Sequence, residues 1–268
     1  MKRLLSAILL LMAVPASAQS INCTSTFGLA VDADGAPDSY RVDGRGLSAT
    51  CDGVFAIVDG VAHTQKNDKQ HWQELCLRHW NDAQASGDYS KVKIVGFQTE
   101  EHGRPLVQAK GDPLPDVAFV TTTQLTIPGT PNDAQRHYVN ASEIPYVVLS
   151  PGYAGSHNLK RGDVVAVYRP KTGQVAYGVY GDCCTIGEAS IRLHEDLGNN
   201  PIVTTADGTR RAKRGIGDRV VFVALAGAHP TPTLDAKAWR DEIKSKGGAA
   251  LAAMGGVQAI KACMAKPG

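Results

Sequence analysis

The stretch KRGDVVAVYRPKTGQVAYGVYGD, residues 160–182, decides the fold. Val164–Tyr168 and Gln174–Tyr180 are rich in β-branched and aromatic residues, which favour strands. The connection between them, residues 170–173, carries proline early and glycine late, as tight turns do. Gly181-Asp182 then ends the second run. The stretch therefore predicts a β-hairpin that ends on an acidic residue.

Short β-like segments surround this hairpin along most of the chain. In VFAIVDGVAH, residues 54–63, the pair Asp59-Gly60 between two apolar runs predicts a second hairpin. Further strands are predicted over residues 91–97, 115–126, 143–152 and 219–227.

Helices are predicted at three places only. Lys69–Gln84 repeats apolar residues at three- and four-residue spacing, which is typical of an amphipathic helix with one buried stripe. A short helix is predicted within residues 187–198, and two more in the tail, over Asp235–Lys246 and Ala249–Ala265. Because strands dominate, we predict a β-rich α+β fold with a compact β-barrel core and a few peripheral helices. The double-psi type is our working barrel topology.

The first eighteen residues have the pattern of a secretory signal. Lys2 and Arg3 are followed by a short apolar run and by the small-residue cleavage site Ala16-Ser17-Ala18. We therefore expect a signal peptide over residues 1–18 and one catalytic domain over residues 19–268. The product is expected to be secreted or periplasmic.

The charge balance narrows the choice of partners. The chain has 28 Lys+Arg and 26 Asp+Glu, and removal of Lys2 and Arg3 leaves equal numbers of each sign. Binding of nucleic acid needs a concentrated basic surface, so no nucleic-acid partner is expected. The apolar run is too short to span a bilayer, so no membrane partner is expected either. We expect a monomer.

The chain has six cysteines, an even number that indicates disulfides in an exported protein. A bond between the adjacent Cys183 and Cys184 would close a small strained ring, so separate partners are expected for them. We expect Cys263 to bond to one of these two.

Two acids lie six positions apart after the predicted hairpin. Asp182 ends a predicted strand, and Glu188 begins a predicted short helix. A glycosidase needs one protonated carboxyl to release the leaving oxygen and one ionised carboxylate to activate water or attack carbon. Acids near helix starts also act as caps and dipole partners, which is the structural alternative for this pair.

The segment AYGVYGDCCTIGEASIRLHEDLG, residues 176–198, resembles the signature of the chitosanases of glycoside hydrolase family 75. In that family a Gly-Asp at a strand end is followed by Gly-Glu-Ala-Ser-Ile. Other blocks along the chain also resemble the family, from FGLAVDADGAPDSY near the start to VVFVALAG near the end. The resemblance spans Thr26 to Gly227.

This resemblance implies that Asp182 and Glu188 are the two essential acids of an endo-acting enzyme that hydrolyses β-1,4 links in chitosan with inversion. No cofactor is expected. Glu188 is provisionally the general acid and Asp182 the general base. The loop between the acids is longer and polar in fungal members, whereas here it is only Cys-Cys-Thr-Ile-Gly. This difference leaves the choice of polymer open.

Further substrate contacts are expected from Asp32, Asp34 and Tyr180. The two acids lie in VDADGAPDSY, for which a turn is the default reading; a calcium loop would lack its bidentate glutamate. The resemblance adds a reading in which these acids contact a glucosamine ammonium. Four tyrosines could stack on sugar rings, namely Tyr40, Tyr146, Tyr153 and Tyr180. Trp72 and Trp80 are instead expected in the core.

The histidines form no convincing ligand set, so no metal site is predicted.

Three alternatives to a chitosanase remain open. A nucleophilic site could pair Cys183 or Cys184 with His157 or His194, although disulfides explain the cysteines better. The protein could also act on another amino-sugar polymer such as peptidoglycan, or bind polysaccharide without cleaving it.

Overall fold

The computed structural model describes residues 21–265, and the predicted signal segment lies outside these described residues. The strands are β1 (Cys23–Asp32), β2 (Val54–Val58), β3 (Val61–His63), β4 (Val92–Ile94), β5 (Tyr146–Val148), β6 (Val164–Arg169), β7 (Gln174–Asp182), β8 (Glu188–Ser190), β9 (Ile202–Thr204), β10 (Arg210–Ala212) and β11 (Ile216–Leu225). The helices are α1 (Thr50–Gly53), α2 (Trp72–Ser86), α3 (Pro151–Ser156), α4 (Ile191–Asp196), α5 (Ala236–Ala253) and α6 (Gly256–Met264), with short 3-10 turns at Glu101–Gly103 and Gln135–His137.

Six strands close into a barrel in the order β1-β11-β6-β7-β5-β8, with β8 returning to β1. The β6–β7 hairpin supplies the longest unbroken antiparallel register, from Val164 opposite Val179 to Arg169 opposite Gln174. The pairs β1–β8 and β5–β7 are parallel. This architecture confirms the predicted β-rich α+β fold with a barrel core. The double-psi topology stays a prediction.

The barrel wall separates two apolar layers. All six strands contribute to the inner layer, which includes Leu29, Val147, Tyr180 and Phe222. The outer layer joins the opposite strand faces, including Val148, to helices α5 and α6 and to the loops around the barrel. Neighbouring residues of one strand therefore face different layers, as strand geometry requires.

The elements around the barrel follow the sequence pattern closely. Helix α2 buries Cys76, Trp80 and Ala83 against β2 and β4, which confirms its predicted stripe and the core position of Trp80. The β2–β3 hairpin turns at Asp59-Gly60 as predicted, and both turn residues have positive φ.

Several predicted elements differ from the structure. The first tail helix does not end at Lys246 but continues to Ala253, and the second begins at Gly256 and not at Ala249. Residues 115–126 form no continuous strand, because their bridges go to four separate segments, through Arg41, Phe97, Val107 and Tyr138. The predicted helix over residues 187–198 begins only at Ile191. Its first part is β8, which pairs with β1 on one side and β5 on the other.

The disulfide predictions are wrong in detail. Cys183 and Cys184 are bonded to each other, and Cys263 bonds to neither of them. The three bonds are Cys23–Cys263, Cys51–Cys76 and Cys183–Cys184. The first joins the start of β1 to the end of α6. None of the helices described within residues 21–265 is long and apolar enough to cross a bilayer.

Candidate active site

Asp182 and Glu188 occupy one row across the barrel wall. Val148 of β5 pairs with Asp182 of β7 on one side and with Glu188 of β8 on the other. Because paired strands lie about 4.8 Å apart, the Cα atoms of the two acids are separated by roughly 10 Å. Paired residues also share a face, so both carboxyls project from the side that Val148 presents to the outer layer.

A bulge at Gly181 decides which residues of β7 face this site. Val147 pairs with Tyr180, but the next residue, Val148, pairs with Asp182, so Gly181 is an extra residue in β7. Tyr180 therefore points into the barrel interior, where its side chain is 4% exposed. Asp182 points to the outer side. The structure therefore places Tyr180 on the opposite face of β7 from Asp182, and its role in stacking on a sugar stays a prediction.

Two further carboxyls join the pair from the end of β1. Strand β1 runs parallel to β8, and Asp32 pairs with Ser190. Ser190 is two residues after Glu188 and faces the same side of the sheet, so Asp32 lies on the same face as Glu188. Asp34 follows in the turn, where its backbone N–H donates to the Asp32 carboxylate over 2.9 Å. We call Asp32, Asp34, Asp182 and Glu188 the carboxyl cluster.

Two buried tyrosines hold the β1 end of the cluster. The Tyr146 hydroxyl donates to the backbone carbonyl of Asp34 over 2.8 Å and also reaches the Asp32 carboxylate. The Tyr40 hydroxyl reaches the Asp34 carboxylate. Both rings are buried, and Tyr40 also lines the cavity beside the cluster. The two hydroxyls therefore help to hold the acids in position. The sequence named them only as candidates for stacking.

A cavity of about 420 Å³ opens beside the cluster. Its acidic lining consists of Asp32, Asp34, Asp52 and Glu188, and Arg211 and Lys213 also line it. The sequence singled out none of Asp52, Arg211 and Lys213. Asp52 stands in an Asp-Gly pair that reads as a turn. Arg211 lies in the short strand β10 and Lys213 directly follows it, in a stretch with no distinctive pattern.

Burial raises the pKa of each acid in the cluster, and repulsion by neighbouring carboxyls adds to this for Asp34, Asp182 and Glu188. For Asp182, which is 8% exposed, burial and then the nearby Asp32 carboxyl raise the pKa to about 7. The backbone N–H of Cys183, which donates to Asp182 over 2.7 Å, partly opposes this shift. Burial and then Asp32 also raise the pKa of Glu188. The pKa of Asp34 is raised well above its ordinary value, first by burial and then by its neighbours Asp32 and Asp182.

The thiol alternative fails in this structure. The sulfurs of Cys183 and Cys184 are bonded to each other. His194 is fully buried, and its Nε2 lies 2.9 Å from the backbone carbonyl of Ala30. Among residues 21–265, no group of three or more His, Cys, Asp or Glu side chains is arranged as a metal site.

Replacing Gly53 by alanine is expected to displace Tyr40 and loosen Asp34. A Cβ at Gly53 would stand 2.7 Å from the Tyr40 ring, and Gly96 lies equally close to the same ring. Because the ring has no room to move away, overpacking is expected to lower the free energy of unfolding by about 1–3 kcal/mol. Chemical denaturation measures this loss. Gly152→Ala is the matched control, since nothing lies within 4 Å of its Cβ position; equal stability of both variants contradicts the prediction.

A pair of carboxyls on one face of a barrel, one of which (Glu188) lines an open cavity, is the equipment of a glycoside hydrolase. The chain belongs to the family 75 chitosanases: residues 49–257 match the family described as fungal chitosanase of glycosyl hydrolase group 75. The matched region contains Asp182 and Glu188 and begins after β1, which carries Asp32. No curated protein matches the chain significantly.

Proposed function

We propose that this protein is a secreted, endo-acting enzyme that cleaves β-1,4 links in chitosan by an inverting two-carboxylate mechanism. The observation that carries the proposal is the row in which Asp182 and Glu188 flank Val148. In this row the two carboxyls lie on one face with a residue of β5 between them, so one can act on the leaving oxygen and the other on a water, as a two-carboxylate mechanism requires. Membership of the chitosanase family supports the same substrate.

We assign the general acid to Asp182 and the general base to Glu188, which reverses the provisional assignment from the sequence. With its pKa near 7, Asp182 keeps its proton in mildly acidic solution and can give it to the glycosidic oxygen. Glu188 lines the cavity and takes a proton from the attacking water. The water oxygen bonds to the anomeric carbon as the bond to the leaving oxygen breaks. Solvent then returns a proton to Asp182 and removes one from Glu188.

Asp32 and Asp34 are proposed to bind the ammonium groups of glucosamine units. Both line the cavity beside Glu188, and a cation beside them relieves the repulsion within the cluster. The remaining proposals concern the whole chain: a signal peptide over residues 1–18, one catalytic domain over 19–268, export and a monomeric state. The three disulfides support export.

The pH dependence of kcat/KM tests the assignment. If Asp182 is the acid, its pKa of about 7 predicts that kcat/KM falls about tenfold per pH unit above this value. The pH profile of kcat/KM is measured with a glucosamine oligomer as the substrate, at constant ionic strength. This quantity reports the pKa values of the free enzyme. A kcat/KM that instead rises through pH 7 means that Asp182 must be ionised, and it gives the acid role back to Glu188.

One observation favours a second substrate. Lys213 is exposed and lines the same cavity as the acids, where it would repel a purely cationic polymer. A chain that carries carboxylates as well as amino sugars, such as peptidoglycan, would suit this arrangement.

The function is tested by measuring the reducing ends released from chitosan, chitin and peptidoglycan. Release from chitosan in the middle of long chains, seen as a rapid fall in viscosity, supports the proposal. Release only from peptidoglycan favours the second substrate. Binding without any release over a long incubation makes the protein a non-catalytic polysaccharide-binding protein.

A further inference from the structure

We propose that Phe27 is the stacking platform of an additional sugar-binding subsite next to the carboxyl cluster. The inference rests on the proposed function, because the occupant is a further glucosamine unit of the same substrate chain. Phe27 lies on β1, upstream of the region that matches the family.

The backbone turns Phe27 outward by a local irregularity. Leu29 pairs with Ile216 and points into the barrel, where it is 1% exposed. In a regular strand Phe27 would share that face with Leu29. The register shifts between them, at Gly28, whose φ is +103°. Phe27 consequently pairs with Arg219 on the outer side and is 92% exposed.

This exposed ring borders a second cavity that is continuous with the first. The second cavity, of about 630 Å³, is lined by Phe27, Ile186 and Gly187 among others. It shares part of its wall with the cavity at the cluster, namely Val31, Asp52, Ala212 and Lys213. The two cavities therefore adjoin, and we treat them as one groove. The acids line the first cavity, and Phe27 lines the second.

Contacts between β1 and Gly187, the residue before Glu188, place Phe27 close to the reacting groups. The side chain of Thr26, next to Phe27, lies 3.6 Å from the position that a Cβ on Gly187 would take. Gly187 directly precedes Glu188, and its carbonyl accepts the N–H of Ala30 over 2.8 Å. A polymer whose scissile bond lies at Glu188 therefore passes Phe27 within its next few sugar units.

The chemistry of the ring suits a glucosamine unit. The C–H face of a pyranose is apolar and packs on an aromatic face, beside which Ile186 adds apolar surface. The ammonium at C2 gains a cation–π interaction with the same ring. Asp52, which lines both cavities, supplies an opposite charge. An isolated exposed phenylalanine needs no function, but here the ring and the groove coincide.

The test compares Phe27→Ala and Phe27→Trp with the wild type. Loss of stacking is expected to lower kcat/KM for a glucosamine hexamer about 3- to 10-fold in Phe27→Ala, and tryptophan is expected to restore it. The same loss is expected in hexamer affinity, measured by calorimetry in a Glu188→Gln background. Leu77→Ala is the matched control, because Leu77 is also an exposed apolar residue but lies on α2.

Thermal melting should be the same for all four proteins, since a side chain that is 92% exposed contributes little packing. Unchanged hexamer affinity in Phe27→Ala overturns the platform while leaving the proposed function intact if chitosan is cleaved. If the wild type cleaves no chitosan, the proposed function fails, and the comparison of hexamer affinities still decides the platform.

Discussion

Asp182→Asn and Glu188→Gln are each expected to lower kcat on chitosan by about 10²–10⁴-fold, the usual contribution of a positioned acid or base. Both substitutions keep the shape of the side chain and remove its capacity to exchange a proton. The effect is expected in kcat more than in KM, because proton transfer stabilises the transition state and not the bound substrate. Release of reducing ends under saturating chitosan measures it.

Matched controls exist for both substitutions. Asp241→Asn on α5 and Glu195→Gln on α4 change exposed acids that are not part of the carboxyl cluster, so both are expected to retain wild-type kcat. Circular dichroism checks that each variant is folded. A folded Asp182→Asn or Glu188→Gln with more than about a tenth of wild-type kcat would remove that residue from the mechanism.

A substrate with an activated leaving group separates the two roles. Such a group departs without protonation, so loss of the general acid costs less on it than on chitosan. Loss of the general base costs the same on both substrates, because water must still be activated. If Asp182 is the acid, Asp182→Asn recovers on the activated substrate and Glu188→Gln does not; the opposite pattern reverses the assignment.

Asp182→Asn is also expected to stabilise the protein above neutral pH. The pKa of Asp182 rises from an ordinary value of 3.8 to about 7 on folding. Between these values the native state holds a proton that the unfolded chain has released, so stability falls as pH rises. The shift corresponds to about 4 kcal/mol, fully lost above pH 7. Asparagine is neutral at every pH and avoids this loss.

The free energy of unfolding from urea titrations at several pH values measures this effect. The advantage of Asp182→Asn over the wild type is expected to grow by up to about 4 kcal/mol between pH 4 and pH 8. Asp241→Asn should show no such growth, because Asp241 is exposed beside Lys237, which lowers its pKa. A gap between Asp182→Asn and wild type that is constant with pH contradicts the raised pKa. A variant that is inactive but more stable would show that the site trades stability for chemistry.

Local patterns in the sequence predicted much of this fold. The β6–β7 hairpin and α2 depend on neighbours two, three or four positions away, which the sequence displays directly. Strand β8 could not be predicted in this way. It has only three residues, and pairing with β1 and β5 on both sides outweighs the helical preference of Glu188. The acids were found, but the element that carries Glu188 was not.

The face of a strand on which a side chain lies was the other feature that the sequence could not predict. Tyr180 and Asp182 are two positions apart and would share a face in a regular strand, but Gly181 separates their faces. Phe27 and Leu29 are separated similarly at Gly28. A glycine within a β-run is compatible with several backbone paths, so neither event could be predicted from neighbouring residues. The disulfide pairing likewise depends on the closed barrel.

The bond between Cys23 and Cys263 makes the described chain almost a covalent ring, with the two Cα atoms 6.3 Å apart. A short peptide linker between residues next to Cys23 and Cys263 would close the described part of the chain, because segments that lie close together can be joined in a circular permutant. New termini could then be opened at the turn of the β2–β3 hairpin, at Asp59-Gly60, which is remote from the barrel pairings. In such a permutant β1 would be encoded after α6 and would still pair with β8 in the folded barrel.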